Sequence, residues 1–228
     1  MEITPIAHVR SDFPEKFGIP RQSGLVKDLA ATVVFTPEFR NPDALRGLEG
    51  FSHIWLIWEF SASAGTPWSP TVRPPRLGGN VRMGVFATRS PFRPNPLGLS
   101  PVRLEKIERV DGLGTVLRIR GADLMDGTPV YDIKPYVPYV DAVPDAVGGF
   151  ANEPASVKLV VECPPDLLAR IPEGQRQAFL SVLGLDPRPP YHHDPERIYS
   201  LNFAGVTARF RVDGERLTVL DIAAGSER

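Results

Sequence analysis

Six arginines lie between Phe60 and Leu104, namely Arg73, Arg76, Arg82, Arg89, Arg93 and Arg103, and that interval holds no aspartate or glutamate. Guanidinium groups meet carboxylates and phosphates in two-pronged geometry, so unneutralised arginines suit an anionic ligand. The backbone that carries them is stiff. FATRSPFRPNPLGLS, from Phe86 to Ser100, contains three prolines, each of which fixes φ and removes a donor, so it is neither a helix nor a central strand. Aromatic residues interleave with the basic ones: Trp68, Phe86 and Phe92, then Tyr131, Tyr136 and Tyr139. Basic groups with aromatic platforms fit a single-stranded RNA loop whose bases are splayed out. Aromatics at strand spacing are more often core, so Phe86 is expected to point inward, whereas Tyr136 and Tyr139, among prolines, are expected at the surface.

Three further stretches combine unusual backbone with polar side chains. EKFGIPRQSG holds Pro20, Arg21 and Gln22, RPPRLGGNVRMG holds Arg73, Arg76 and Asn80, and DLMDGTPVYDIKPYVPY runs from Asp123 to Tyr139. In the last, Asp126-Gly127-Thr128-Pro129 is a turn signal, with a side chain that caps backbone amides and a glycine able to take positive φ. Alone it is most simply a tight turn. Its backbone donors and acceptors also match what an amino-acid or adenine group needs.

Much chemistry is absent. There is no G-x-G-x-x-G between a strand and a helix, no P-loop and no G-x-S-x-G elbow. The four histidines, His8, His53, His192 and His193, lack zinc-ligand spacing, so no metal site is expected. The one cysteine, Cys163, excludes a disulfide framework and is expected to be a buried thiol in a strand. A net charge of −1 argues against a generic nucleic-acid binder, but it conceals an uneven distribution, because acids gather later at Asp123, Asp126, Asp132, Asp141 and Asp145.

These loops must be held by a scaffold, and the scaffold reads as β. ITPIAHVRS, ATVVFTP, FSHIWLIWEF, RMGVFATRS and PVYDIKPYV read as strands, and PVRLEKIERV-DGLG-TVLRIRGADL as a hairpin. Many strands without intervening amphipathic helices point to an antiparallel sandwich or barrel. The small-residue tract Asp141–Ser156 reads as a linker. Beyond it VKLVVEC is a strand, PPDLLARI and EGQRQAFLSVLGLD carry helical spacing, and IYSLNF, AGVTARFRV and RLTVLDI read as three strands. The expected organisation is a β domain over residues 1–145 and a small α+β domain over 146–228. At 228 residues and 42% apolar content the chain can bury a real core, and its 25 prolines, against an average of about 5%, lie between apolar runs. No signal peptide or membrane span is legible, so a cytoplasmic protein is expected.

EKFGIPRQ, LRGLEGFSHIWLI, RPPRLGGN, GVFATRSPFRPNPLGLS, DLMDGTPVYDIKPYVPY and DPRPPY, in this order, resemble the TsaA/TrmO family of S-adenosylmethionine-dependent tRNA methyltransferases. The resemblance spans Ile3 to Tyr191 and is densest before Tyr139. It implies a single-sheeted antiparallel β-barrel holding the methyl donor, a small α+β C-terminal domain, and a homodimer. The implied reaction is N-methylation of N6-threonylcarbamoyladenosine beside the anticodon of tRNA. It also implies that Pro20, Arg21, Gln22, Arg89, Leu99, Ser100, Met125, Asp126, Gly127 and Thr128 contact the donor. Ser61 and Ala62, also expected at the donor, stand where the family commonly carries a polar pair beginning with histidine. Arg73, Arg76, Arg93, Asn95 and Lys134 are the expected tRNA contacts, and Asp126, Tyr136 and Tyr139 are candidates to take the proton. The rival readings are a non-enzymatic RNA-binding module and a methyltransferase acting on another nucleoside or a small metabolite. The PRQ and DGTP words, which a mere RNA clamp would not need, separate the first of these from the enzyme.

Overall fold

The computed structural model describes residues 2–152, 158–189, 192 and 194–225. The end of the predicted linker (residues 153–157) and parts of DPRPPY and of the histidine pair (190, 191 and 193) lie outside them. The chain is mainly β and carries more than one sheet. Eight strands precede the linker: β1 (Ala7–Ser11), β2 (Ala30–Phe35), β3 (His53–Glu59), β4 (Thr71–Val72), β5 (Met83–Gly84), β6 (Leu97–Val110), β7 (Gly114–Arg120) and β8 (Pro129–Pro135). Six of them close into an antiparallel barrel in the order β1-β2-β7-β6-β3-β8, with β8 paired to both β3 and β1. The long β6 makes this possible. Its first half pairs with β3 and its second with β7, with a register shift between Leu104 and Lys106 where it bends from one neighbour to the next. Inward alternation fills the interior with Val9, Val33, Ile54, Leu56, Val102, Leu117, Ile119 and Val130.

The single sheet expected before the linker is corrected by β4 and β5, which form a separate two-stranded ribbon. RMGVFATRS yields only the two residues of β5, after which the chain enters a 3-10 turn at Val85–Ala87 closed by the Thr88 hydroxyl donating to the Val85 carbonyl (2.8 Å). Phe86 therefore turns outward and is 75% exposed, against the inward expectation. After β8 come a one-turn helix α1 (Pro138–Asp141) and the exposed tract up to residue 152.

The C-terminal region contains β9 (Val160–Glu162), the one-turn α2 (Pro165–Leu168), α3 (Arg176–Gly184), β10 (Tyr199–Phe203), β11 (Val206–Asp213) and β12 (Arg216–Ala224). Its sheet runs β10-β11-β12-β9, with β9 parallel to β12. One face of α3 buries Ala178, Phe179, Val182 and Leu183. Cys163 follows β9 half-buried rather than enclosed, and its thiol is pushed up by partial burial and by Asp166.

The connection from β1 to β2 does not stay with its barrel. Phe13, Val26 and Leu29 join the C-terminal core, with Phe17 and Ile19 packed against it. Phe13 meets Phe203 edge to face at 5.2 Å, and the Asn202 amide donates to Glu15 (2.7 Å). Gly18 sits at φ 86°, and a Cβ there would penetrate Leu201. Gly18→Ala is expected to lower the unfolding free energy by at least roughly 1–2 kcal/mol from the left-handed backbone alone. A urea midpoint equal to that of the parent chain would refute this seam.

Candidate functional site

A cleft of about 470 Å3 opens where the β1–β2 connection faces the ends of β3, β6 and β8. Its lining draws on the words singled out above: Pro20, Arg21, Gln22, Ser61, Ala62, Arg89, Leu99, Ser100, Met125 and Thr128 of the predicted donor residues, and Arg93 of the predicted RNA residues. These positions, more than a hundred residues apart in sequence, meet because β3 and β6 pair directly and the β1–β2 connection is laid across them.

The floor is a chain of hydrogen bonds. The Trp58 indole donates to the Ser100 hydroxyl (3.0 Å), which donates to the Asp123 carboxylate (2.7 Å). Trp58 faces Gly98 across the β3–β6 pair, and any Cβ at Gly98 would overlap the indole ring. Glycine is needed there for close approach, not for its backbone freedom. Burial raises the Asp123 carboxyl above its ordinary value, against the lowering pull of the Ser100 hydroxyl, backbone amides including that of Ser23, and the Arg89 charge. Glu59, a second lining carboxylate, accepts from the Tyr131 hydroxyl (2.7 Å), a bond that with Glu59's charge raises the Tyr131 phenol.

Cations form the rim. The Arg89 guanidinium donates to the side chain of Gln22, joining the ATRS and PRQ words. Lys16 donates to the Ala62 carbonyl and to the Ser63 hydroxyl, both at 2.8 Å, and so straps the β1–β2 connection to the turn after β3. Arg93 donates to the carbonyls of Thr88 (3.0 Å) and Ser90 (3.2 Å), which makes it a brace of its own loop as well as a lining residue.

Other predicted residues are not brought here. Asp126 and Gly127 fall outside the lining; the Asp126 carboxylate caps the Ser11 amide (3.0 Å), as a turn aspartate does. Tyr136 lies against Trp55, ring centres 5.6 Å apart, and Tyr139 stands 89% exposed on α1. None of the three proton-acceptor candidates therefore lines the cleft. Arg73 and Arg76 are exposed in the β4–β5 connection, Asn95 is exposed before β6, and Lys134 pairs with Asp132 (2.9 Å) on β8. The residues missed by sequence reading are Lys16, Trp58, Glu59, Gly98 and Asp123. All lie inside or beside stretches already singled out, and the alternation of HIWLIWE was the available signal that Trp58 faces inward. Among the described residues no group of histidine, cysteine or acidic side chains is arranged to hold a metal.

A loop-walled ligand cleft on an antiparallel β scaffold, floored by a tryptophan and a buried carboxylate and rimmed by arginines, defines a small-molecule-binding protein built without the doubly wound sheet of nucleotide-binding folds. Comparison with known proteins makes this specific. The family model of the tRNA-methyltransferase O N-terminal domain matches residues 8–142, and that of the TrmO C-terminal domain matches residues 157–225. The chain belongs to the TrmO family. It is 43% identical over 218 residues to a tRNA (adenine(37)-N6)-methyltransferase of Escherichia coli K12, covering 91% of each. It is 41% identical to a putative S-adenosylmethionine-dependent methyltransferase, RcsF, of Pseudomonas aeruginosa, covering 98% of both. The crystal structure of a TrmO from P. aeruginosa matches with a TM-score of 0.80 at 37% identity, over 99% of this chain and 97% of that one.

The buried carboxylate yields a pH prediction. Because the folded chain holds the Asp123 proton more tightly than the unfolded chain, its contribution to stability is fully present below 3.8 and is lost as pH rises through the raised value. The stability of Asp123→Asn relative to the parent should therefore improve between pH 3.8 and neutrality, whatever its offset, in parallel urea titrations. A pH-independent difference would contradict the burial argument.

Proposed function

We propose that this chain is an S-adenosylmethionine-dependent tRNA methyltransferase acting on the N6 position of the adenosine next to the anticodon. The finer substrate assignment is the N6-threonylcarbamoylated form of that adenosine. The observation that carries the reading is the convergence of the PRQ, ATRS, LGLS and MDGT words on one cleft in a chain of the TrmO family. The cleft's volume is within the roughly 300–1,000 Å3 of small-molecule sites. Its lining suits a zwitterionic, adenine-bearing sulfonium: guanidinium groups of Arg21 and Arg89 for a carboxylate, the carboxylates of Asp123 and Glu59 for positive charge, and apolar surface from Trp58, Leu97 and Leu99 for a ring. When bound, this donor supplies an electrophilic methyl group.

The residues of the chain then have two tasks. One is to hold the amine in line with that methyl, and positioning of this kind is worth at most roughly 7–11 kcal/mol of barrier. Pro20, the Arg89–Gln22 contact and the Lys16 strap serve it by fixing the wall of the cleft. The other is to accept the amine's proton. With Asp126, Tyr136 and Tyr139 outside the cleft lining, our candidates for that role are Glu59 and Asp123, the carboxylates that line it. The region of residues 1–145 would hold the donor, and that of 146–228 would brace it. Assembly as a homodimer in the cytoplasm belongs to the same proposal, supported by exposed apolar side chains at Tyr139, Val140, Val143 and Val147, and light scattering should give twice the chain mass. A non-enzymatic RNA clamp would have no use for the carboxylates of Asp123 and Glu59 in the same lining as the arginines.

The decisive measurement is a mass-spectrometric nucleoside profile of tRNA incubated with the protein and S-adenosylmethionine. Methylation at the N6 position of the carbamoylated adenosine is expected, and its absence on competent tRNA would sink the reading. Arg89→Ala should abolish donor binding by calorimetry while leaving the circular dichroism spectrum intact. Unchanged donor affinity would remove Arg89 from the site.

A further inference from the structure

We infer that Trp68, Phe86 and Phe92 form a platform on which unpaired bases of the RNA stack beside the cleft. The inference rests on the tRNA reading above and adds to it a surface and a mode of contact. The three side chains are 52%, 75% and 41% exposed. Single exposed apolar side chains are ordinary, but three large rings carried on loops that are fastened to one another make a patch of the kind that marks an interaction surface. They come from different parts of the loop region but are fastened together. The Ser69 amide donates to the Phe92 carbonyl (3.2 Å) and the Val85 amide to the Pro70 carbonyl (3.0 Å), so the residues next to Trp68, Phe86 and Phe92 are cross-linked by backbone. The β4–β5 ribbon, pairing Thr71 with Gly84 and Val72 with Met83, joins the same loops.

The platform is rigid and adjoins the site. The Thr88 hydroxyl accepts from the Ser90 amide (3.2 Å), the Ser90 hydroxyl accepts from the Phe92 amide (3.3 Å), and Arg93 braces the carbonyls of both Thr88 and Ser90. Thr88, Arg89, Pro91 and Arg93, which lie between Phe86 and Phe92 or adjoin them, line the cleft itself. Sequence neighbours of these rings thus line the cleft, so a base that enters it would leave adjoining bases within reach of the platform.

Charge selects the occupant. Arg73, Arg76 and Arg82 are exposed on the loops that carry the aromatics, and among the described residues none of them is in an ion pair with a carboxylate; Arg82 donates instead to the Thr71 hydroxyl (3.2 Å). Flat hydrophobic rings ringed by unneutralised guanidinium groups match a polyanion that also presents flat rings, and single-stranded nucleic acid is that polymer. Duplex RNA hides its bases and would gain only the charge term.

The test uses the full chain and an anticodon stem-loop RNA, followed by fluorescence anisotropy across a salt series, with an RNA duplex and anionic phosphatidylglycerol vesicles as alternative probes. Phe86→Ala and Trp68→Ala should each weaken stem-loop binding by roughly 5- to 150-fold, with the salt slope unchanged because no phosphate contact is lost. Phe86→Trp should restore binding, duplex affinity should not move, and S-adenosylmethionine affinity by calorimetry should equal the parent's. Parent-like stem-loop affinity in both alanine variants would overturn the platform while leaving the methyltransferase reading intact. A parent chain that binds the vesicles but not the stem-loop would overturn both.

Discussion

The β1–β2 connection faces two ways at once, and the site depends on that. Its apolar residues, Phe13, Val26 and Leu29, are core of the C-terminal region, while Lys16, Pro20, Arg21 and Gln22 of the same stretch line the cleft. A loop of this length laid over a barrel end would cost conformational entropy for each fixed residue and return little burial. Docking it into a second hydrophobic core supplies the missing burial. The C-terminal sheet is thus the physical reason that one wall of the cleft holds still, and the positive φ of Gly18 against Leu201 marks how closely the two are fitted.

The opposite wall is rigid for a different reason. Trp58, Ser100 and Asp123 form a continuous donor-to-acceptor chain from one barrel strand to the next and on to the loop before β8. A buried carboxylate is tolerated there because a hydroxyl, backbone amides and the nearby Arg89 charge offset part of its desolvation. The result is a floor that holds a buried carboxyl group beside a rim of guanidinium groups.

The loops outside the cleft extend the same economy of contacts. Proline fixes their backbone, serine and threonine hydroxyls close their turns, and Arg93 satisfies the carbonyls of Thr88 and Ser90. Side chains freed from structural work are then displayed outward, which is why Phe86 is exposed in a stretch whose spacing suggested a strand.

Much of this was legible in the sequence. The β class follows from alternation in runs such as HIWLIWE, the hairpin of β6 and β7 from its glycine turn, and the PRQ, ATRS, LGLS and MDGTP words from their rigid polar backbone. Those are local properties, set by φ preferences and by which side chains can be solvated. The sequence alone also determined that no nucleotide-binding helix turn is present. Tertiary structure decided what locality cannot. It placed Trp58 over Gly98, separated Asp123 as the cleft carboxylate from Asp126 as a turn cap, set Glu59 in the lining and moved Tyr136 out of it. Each of these depends on which strand lies beside which and in what register, and a shift of one residue would turn every such side chain to the other face.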